Sequence, residues 1–465
     1  MGRQITQGDM IWGYVAQALN LGGGLLLLPI SARYLSPEDL GLWFVFTALA
    51  GLAQLLELGF QPTFARNAAY VYSGAQQLAK TGLPARANQE SGTNVVLLAS
   101  LLEAARTVYR AVAGLAGVFM LLLGSLYIKT LLTPNQDAAH SLLAWGMFSL
   151  GSIINFYFAY INGFLQGRGD VTQWSKVTVF TRGSLVLFSV SALLMGYGLF
   201  GLGIASLLSA AVGRATAHHY FTKDALIERM RNTEITAEGK REILRTLWHN
   251  AGRLGVVQIG AFLIQRGNVL IAASFVGLAA SGSYGITVTV LMALSGMASV
   301  VCQLQLPHLA SLQASYNRKA AAEVLGETFL MSWVFFLLGL TFVVVAGDGL
   351  LTLIGSRNHL LPWPLCLMLG IVMLLEMNHS IAASYLTTLN KVPFVGAAIF
   401  SGIGVTLLTL LLIKPFGIAG IVIAQGAVQL AYNNWKWPLE AVKHLEVSLS
   451  NILVLGAKRI VSRYV

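Results

Sequence analysis

The stretch LNLGGGLLLLPISARYLSPEDLGLWFVFTALAGLAQLLELGF, residues 19–60, contains two apolar runs joined by a short polar turn. With the residues that flank it, the stretch predicts one helix over 10–34 and a second over 40–61. Each run is long enough for an α-helix to cross about 30 Å of hydrocarbon. This part of the chain is therefore predicted to be a helical hairpin in a lipid bilayer.

The composition of the whole chain agrees with a membrane protein. Hydrophobic residues make up 56% of the 465 residues and charged residues 11%, and the mean hydropathy is +0.69. Such a chain would aggregate in water. The two cysteines, Cys302 and Cys366, lie in apolar runs, so neither a disulfide framework nor a cysteine metal site is predicted. The formal charge of +11 is scattered among the apolar segments, which argues against a nucleic-acid partner.

Further apolar segments, each of roughly 20 residues or more, follow the hairpin. We predict helices over 104–132, 139–165, 175–197, 199–222, 250–277, 283–306, 325–354, 361–387, 393–414 and 416–438. The fold class is therefore all-α, a polytopic membrane protein with about twelve transmembrane helices. Lysine and arginine concentrate in alternate loops, which predicts that both the N- and C-termini are cytoplasmic.

The two halves of the chain resemble each other. Residues 198–205 read GLFGLGIA and residues 417–424 read GIAGIVIA, which places Gly198 over Gly417 and Gly201 over Gly420. An even number of helices per half predicts two pseudo-symmetric six-helix bundles arranged as parallel repeats. The alternative is chance likeness among helices rich in small residues. We predict a first bundle over 1–222, a basic cytoplasmic linker over 223–249, a second bundle over 250–444 and a cytoplasmic amphipathic helix over 445–465.

Several charges fall inside these apolar segments, where a charge is costly and marks a functional site by default. Arg266 lies in FLIQRGNVLIAAS, residues 262–274, and Gln265 and Gln258 extend a polar stripe on the same predicted helix. Arg182 lies about two turns into helix five. We predict that these side chains line a wet cavity and bind an anionic substrate, because the planar guanidinium grips two phosphate oxygens at once.

The alternative is that these arginines are neutralised inside the protein. Glu57 on helix two, Glu376 on helix ten, or carbonyl groups at helix ends would then pair with them and fix helix register. Further candidates for substrate binding are Arg66, Asn155 and Asn162. The two asparagines have an alternative role as hydrogen-bonding residues between helices.

Glu376, His379 and Glu57 are candidates for ion coupling. His379 follows Glu376 by one helical turn, and a carboxylate beside an imidazole can carry protons. The alternative is that Glu376 and His379 form hydrogen bonds to a neighbouring helix.

The stretch 19–60, with its glycine-rich first helix and the turn before LGLW, resembles the opening of the polysaccharide transporter family. These are Wzx-type O-antigen flippases of the multidrug/oligosaccharidyl-lipid/polysaccharide (MOP) superfamily. The likeness extends over nearly the whole chain through the helix count and the repeat, and it is strongest in residues 1–75. Many relatives place an acid on helix seven where this chain has Asn268, which disfavours a carboxylate coupling site there.

The resemblance implies a V-shaped molecule with a cationic central cavity that opens to alternate faces. It implies transport of an undecaprenyl-pyrophosphate-linked oligosaccharide from the cytoplasmic to the periplasmic leaflet of the bacterial inner membrane, assisted by an ion gradient. Polysaccharide polymerase and chain-length proteins are then candidate partners, beside the lipid-linked glycan and the bilayer.

Enzyme classes lack their sequence signatures. The chain has no phosphate loop, dinucleotide fingerprint or HExxH motif, so we predict neither catalysis nor a cofactor. A membrane polysaccharide polymerase or ligase is the alternative from another class, but it would carry a large outer loop. A multidrug antiporter of the same superfamily is the alternative within transport; no Asp or Glu lies between residues 10 and 32 to bind a cationic drug.

Overall fold

The computed structural model describes residues 7–79, 93–134, 136–389 and 393–464, and no strand occurs within these ranges. The predicted cytoplasmic start at residues 1–6 lies outside the described residues. The helices of the first part of the chain are α1 Gln7–Tyr34, α2 Pro37–Gln54, α3 Phe60–Tyr72, α4 Val95–Val118, α5 Ser125–Leu131, α6 Ala138–Tyr157, α7 Ala159–Gly167, α8 Val171–Leu194, α9 Gly198–Thr222, α10 Ala225–Arg231 and α11 Ala237–Gln265.

The second part of the chain is equally helical. Its helices are α12 Gly267–Phe275, α13 Leu278–Ala298, α14 Val300–Ala314, α15 Arg318–Leu353, α16 Trp363–Thr387, α17 Val395–Phe416, α18 Ile418–Ala431, α19 Asn433–His444 and α20 Leu449–Tyr464. Over the described ranges, 11 helical segments are long and apolar enough to cross a membrane. The protein is an all-α, multi-pass membrane protein, and this part of the sequence prediction is confirmed.

Several predicted helices are interrupted, and one of them, 416–438, is not among the segments long enough to cross a membrane. The segment 416–438 forms α18 and α19, which are separated at Tyr432, where φ is −143° and ψ is −63°. The apolar run ends at Ala431, and the following NNWKWPLE is polar enough to make α19 amphipathic. The prediction of one spanning helix over 416–438 is wrong because hydropathy alone does not register such a break.

The described residues pack into two compact units. The first comprises the described residues up to Leu35 together with Val45–Ile259. In this unit α9 packs against both α6 and α8. A Cβ atom on Gly203 of α9 would lie 2.4 Å from the carbonyl oxygen of Ala144 on α6, so the two backbones approach directly. Small residues thus set the spacing of these helices, as is common between membrane helices.

The segment 223–249, predicted as a linker, is largely helical and packs on the first unit. It contains α10 and the first turns of α11. Ile227, Met230, Ile243 and Leu247 from this segment are buried in one apolar cluster with residues of α3, α4, α7 and α9. The segment therefore contributes to the core of the first unit.

The second unit comprises Ser36–Phe44 and the described residues from Gly260 onward. Its longest helix is α15, with 36 residues, and α20 packs along it. A Cβ atom on Gly326 of α15 would lie 2.0 Å from the carbonyl oxygen of Ile452, so the two helices cross in backbone contact. Within the segment 445–465, α20 therefore has one face against α15.

The glycines matched between the two halves have similar surroundings. Gly198 and Gly417 both have positive φ, 50° and 56°. A Cβ on Gly201 would lie 2.7 Å from Ala192, and one on Gly420 would lie 2.4 Å from the carbonyl oxygen of Leu412. In both halves the chain thus makes a tight turn that only glycine tolerates well, and the next helix packs closely on the preceding one.

Candidate functional site

The first unit contains a polar cavity of about 420 Å³, which we call the chamber. It is lined by residues of α1, of the α2–α3 segment, and of α6, α7, α8 and α9. Its charged lining groups are Arg182, Arg214 and Glu57. Its side-chain amides are Asn20, Gln54, Gln61, Asn155, Asn162 and Gln166. The volume falls in the range of small-molecule sites, roughly 300–1,000 Å³.

Two helix breaks lie beside the chamber. Between α2 and α3 the chain passes through a 3₁₀ turn, Leu55–Glu57, and then through Leu58 and Gly59, both with positive φ. Between α6 and α7 it breaks at Phe158. Helix breaks within a membrane are tolerated only where the freed backbone groups find partners or line a cavity. The breaks therefore supply polar backbone to the chamber as well as side chains.

The two arginines of the chamber are anchored differently. Arg182 Nε donates a hydrogen bond to Asn20 Oδ1 at 3.2 Å. Arg214 Nη1 donates to the carbonyl oxygen of Phe158 at 3.2 Å, so it uses one of the carbonyls at the α6–α7 break. Arg214 Nε is buried and has no hydrogen-bond partner among the described residues. Arg214 Nε–H is thus available to donate a hydrogen bond to a ligand in the chamber.

Sequence reasoning missed Arg214. The residue lies eight positions before the end of α9 at Thr222. Depth within a predicted helix, the criterion that selected Arg182, would have selected Arg214 as well. His218 and His219 make the end of α9 polar, so the sequence suggests that Arg214 lies near the membrane surface.

Glu57 has a partner inside the protein. Its side chain is 6% exposed and Oε1 accepts a hydrogen bond from the Tyr109 hydroxyl at 2.6 Å. This contact joins the α2–α3 break to α4, because Glu57 ends the 3₁₀ turn. The structure therefore gives Glu57 a role in fixing the break, in addition to its place in the chamber lining.

Arg266 lies at another helix break, between α11 and α12. Its side chain is exposed, as are those of Gln258 and Gln265. Among the described residues the guanidinium of Arg266 makes neither a hydrogen bond nor an ion pair. No carboxylate among the described residues therefore pairs with Arg266.

Glu376 and His379 each form a hydrogen bond to a neighbouring helix. Gln425 Nε2 on α18 donates to Glu376 Oε1 at 2.8 Å, and His379 Nδ1 lies 2.9 Å from Asn434 Oδ1 on α19. These contacts tie α16 to α18 and α19. Asn268 is fully buried and accepts from Thr409 Oγ1 at 3.4 Å.

The structure brings together four of the residues that the sequence singled out. Arg182, Asn155, Asn162 and Glu57 line the chamber. The remaining ones do not line it: Arg66, Gln258, Gln265, Arg266, Glu376 and His379. Arg66 is exposed on α3.

An ion-pair cluster outside the apolar spans joins four segments of the first unit. Arg168 contacts Asp170, donates to Gln173 Oε1 at 2.6 Å, and lies 2.9 Å from Asp224 Oδ2. The Tyr72 hydroxyl donates to the same oxygen of Asp224 at 3.3 Å. Burial opposes the charge on Arg168, but the two carboxylates outweigh burial and raise its pKa. Arg168 therefore remains a cation that holds the α7–α8 and α9–α10 links together.

Comparison with solved structures identifies the fold of this chain, whereas the sequence comparisons find no match. No protein-family model matches the sequence, and no curated protein matches it. An inward-facing multidrug resistance MATE family transporter of the MOP superfamily has a TM-score of 0.69 and 13% identity, over 93% of this chain and 99% of that one. The chain has the fold of the MOP superfamily.

Two other solved structures share this fold. The lipid II flippase MurJ, in an inward closed conformation, has a TM-score of 0.62 and 12% identity, over 97% of this chain and 90% of that one. A MOP superfamily transporter from Pyrococcus furiosus has a TM-score of 0.51 and 14% identity, over 96% of this chain and 99% of that one. Its binding pocket is described as having reverse polarity that suggests a different function. Within the MOP fold, the groups in the pocket therefore have to decide the substrate.

Proposed function

We propose that this protein is a flippase that moves a lipid-linked oligosaccharide across the bacterial inner membrane by alternating access. The observation that carries the proposal is the chamber, in which two arginines face a single carboxylate, Glu57, that is already bonded to Tyr109. A positive polar cavity inside membrane-crossing helices favours an anionic, hydrophilic headgroup. A diphosphate-linked glycan such as an undecaprenyl-pyrophosphate-linked repeat unit has such a headgroup.

Arg266 supports the same function. A guanidinium on a membrane-crossing helix is costly without a partner, and Arg266 has none among the described residues. Gln265 and Gln258 on α11 add exposed amides near it along the chain. We propose that Arg266 binds a phosphate group of the substrate during transport, with Gln265, Gln258 and Arg66 as further contacts along its path.

Glu376 and His379 are proposed to couple transport to an ion gradient. Both are only partly buried, and both side chains bond to α18 or α19. A change in protonation of either residue would alter a contact between membrane helices, and alternating access requires helices to repack. For Glu57, by contrast, we propose that a change in protonation would alter its hydrogen bond to Tyr109 and thereby the break between α2 and α3.

Multidrug antiport is the second candidate function, and the likeness to a MATE transporter favours it. Its substrates would be cationic drugs, for which a chamber with an excess of arginine is electrostatically unfavourable. Export of a cationic dye by cells that carry the protein distinguishes the two functions. Dye export that survives Arg182→Ala and Arg214→Ala would favour the antiporter.

The test of the flippase proposal is a deletion strain and its complementation. Deletion should cause a lipid-linked glycan to accumulate on the cytoplasmic leaflet and should reduce surface polysaccharide. Arg266→Ala and Arg214→Ala should each lower the rate of flipping by about 10- to 100-fold, which corresponds to the loss of one charge-assisted interaction of roughly 1.5–3 kcal/mol. Arg357→Ala, an exposed arginine outside the membrane-crossing helices, is the matched control.

Protein levels and folding distinguish loss of transport from loss of protein. Arg266 has no partner among the described residues, so Arg266→Ala should leave stability within about 0.5 kcal/mol of the wild type. Full complementation by both Arg266→Ala and Arg214→Ala would contradict the proposed role of the positive groups. An unchanged pool of lipid-linked glycans in the deletion strain would contradict the substrate class.

A further inference from the structure

Six of the polar side chains that line the chamber are neutral amides, and five of these six lack a side-chain partner among the described residues. The Asn20 amide accepts from Arg182. The other five amides form no side-chain hydrogen bond among the described residues: Gln54, Gln61, Asn155, Asn162 and Gln166. Gln54 is exposed and the other four are partly buried, so their amide groups remain able to bond a ligand. Among these amides only Asn162 Oδ1 is a buried polar atom without a partner, a rare state in proteins.

Amides present donors and acceptors in equal measure. Each Asn or Gln offers two N–H donors and one carbonyl oxygen that can accept two hydrogen bonds, whichever way its amide is turned. A phosphate group at neutral pH mainly accepts hydrogen bonds, so it would leave the carbonyl of Asn162 unsatisfied. A sugar offers a hydroxyl, both donor and acceptor, at most of its carbons. The donor–acceptor balance of the chamber therefore fits a sugar better than it fits a phosphate.

The apolar part of the lining supports the same ligand. Trp174, Phe148 and Phe156 lie among the amides in the chamber wall. An aromatic ring offers a flat apolar surface, while the polar groups around it fix orientation. The C–H faces of a sugar ring need such a surface while its hydroxyls bond at the edge. A cavity of about 420 Å³ is also too small for an entire lipid-linked oligosaccharide, so it would take one part of it.

We propose that the chamber is a sugar-binding subsite of this protein, in which Asn155, Asn162 and Gln166 bond the hydroxyls of one or two sugar residues and Arg214 Nε donates to a sugar oxygen. This inference rests on the proposed flippase function and deepens it. It assigns glycan recognition to the chamber and leaves the phosphates to Arg266. The three amides lie on α6 and α7, on either side of the break at Phe158. Binding there would couple the sugar to the conformation of that break.

The test uses the purified full-length chain in detergent and free ligands. The probes are a panel of hexoses, N-acetylhexosamines and hexuronic acids, with inorganic pyrophosphate in parallel, and the readouts are tryptophan fluorescence and protection against heat. At least one sugar should bind saturably. Asn162→Ala and Gln166→Ala should each weaken it about 3- to 10-fold, as expected for one neutral hydrogen bond. Trp174→Phe should diminish the fluorescence signal.

Two controls keep the result specific. Gln17→Ala removes an exposed amide from α1 that does not line the chamber, and sugar affinity should not change. Arg266→Ala should weaken pyrophosphate binding and leave sugar binding intact. If an amide variant fails to fold, Ser206→Cys provides a second measurement, because Ser206 lines the chamber and all the amides are retained. Bound sugar should slow thiol labelling of that cysteine.

The outcomes separate this inference from the proposed function. Saturable sugar binding that depends on Asn162 supports the subsite, even if the protein fails to flip a lipid-linked glycan. No binding by any sugar of the panel, or sugar binding unaffected by both amide substitutions, overturns the subsite and leaves the flippase test untouched. Protection of Ser206→Cys by pyrophosphate but by no sugar would also overturn it.

Discussion

Removing the ion pair between α15 and α20 should release the C-terminal helix. Arg459 Nε donates to Glu327 Oε2 at 2.7 Å, and the Glu327 side chain is 1% exposed. Breaking a buried pair by removing one partner costs about 3–5 kcal/mol, since the other charge stays buried. Arg459 keeps 27% of its side chain exposed, so the lower end, about 3 kcal/mol, applies to Arg459→Met. That energy raises the undocked fraction of α20 by about 100-fold.

Thiol labelling at the helix crossing measures this undocking. Ile452 is 1% exposed, and its carbonyl group faces Gly326. In an Ile452→Cys background, the thiol should react only when α20 leaves α15, so Arg459→Met should raise the labelling rate by about 100-fold. Glu327→Gln together with Arg459→Met should restore slow labelling, because no buried charge remains. An unchanged rate in Arg459→Met would refute the reasoning that this pair holds α20 in place.

Three other contacts in the first unit lead to predictions about thermal stability. Tyr109→Phe removes the donor to the buried Glu57 and should lower stability by about 1–3 kcal/mol, measured as the midpoint of thermal unfolding in detergent. Arg168→Gln should cost about 3 kcal/mol in the same assay, and a midpoint equal to that of wild type would contradict a structural role for the cluster. Gly203→Val should prevent close approach of α6 and α9 and lower the midpoint, whereas Gly114→Val, with open space around it, should not.

The sequence predicted the membrane-spanning helices well for a simple physical reason. A run of about 20 apolar residues is a local property, and the bilayer imposes helix on it because backbone groups in lipid must pair within the segment. The matched glycines of the two halves were also visible, since a positive φ and a close helix contact each demand a small residue at one position. The break at Tyr432 was not visible in the hydropathy; in the structure the next residue, Asn433, donates hydrogen bonds to Ser401 and Gln429.

The candidate site was only partly predictable. Arg182, Asn155 and Asn162 could be selected by their type and depth, but nothing local indicated that they share a cavity with Arg214 and Gln166. The hydrogen-bond partners of Glu57 and Glu376 could not be predicted from the sequence either. Glu57 bonds to Tyr109, which is 52 positions away, and Glu376 to Gln425, 49 positions away.

The sequence by itself determined that this chain crosses a membrane many times as helices and carries unusual charges within them. The tertiary structure alone decided which charges are paired, which helices break, and which amides surround one chamber. The physical reason is that hydropathy and helix length act over about 20 neighbouring residues. Hydrogen bonding and cavity formation depend instead on groups far apart in the chain, and only packing brings such groups within a few ångströms of each other.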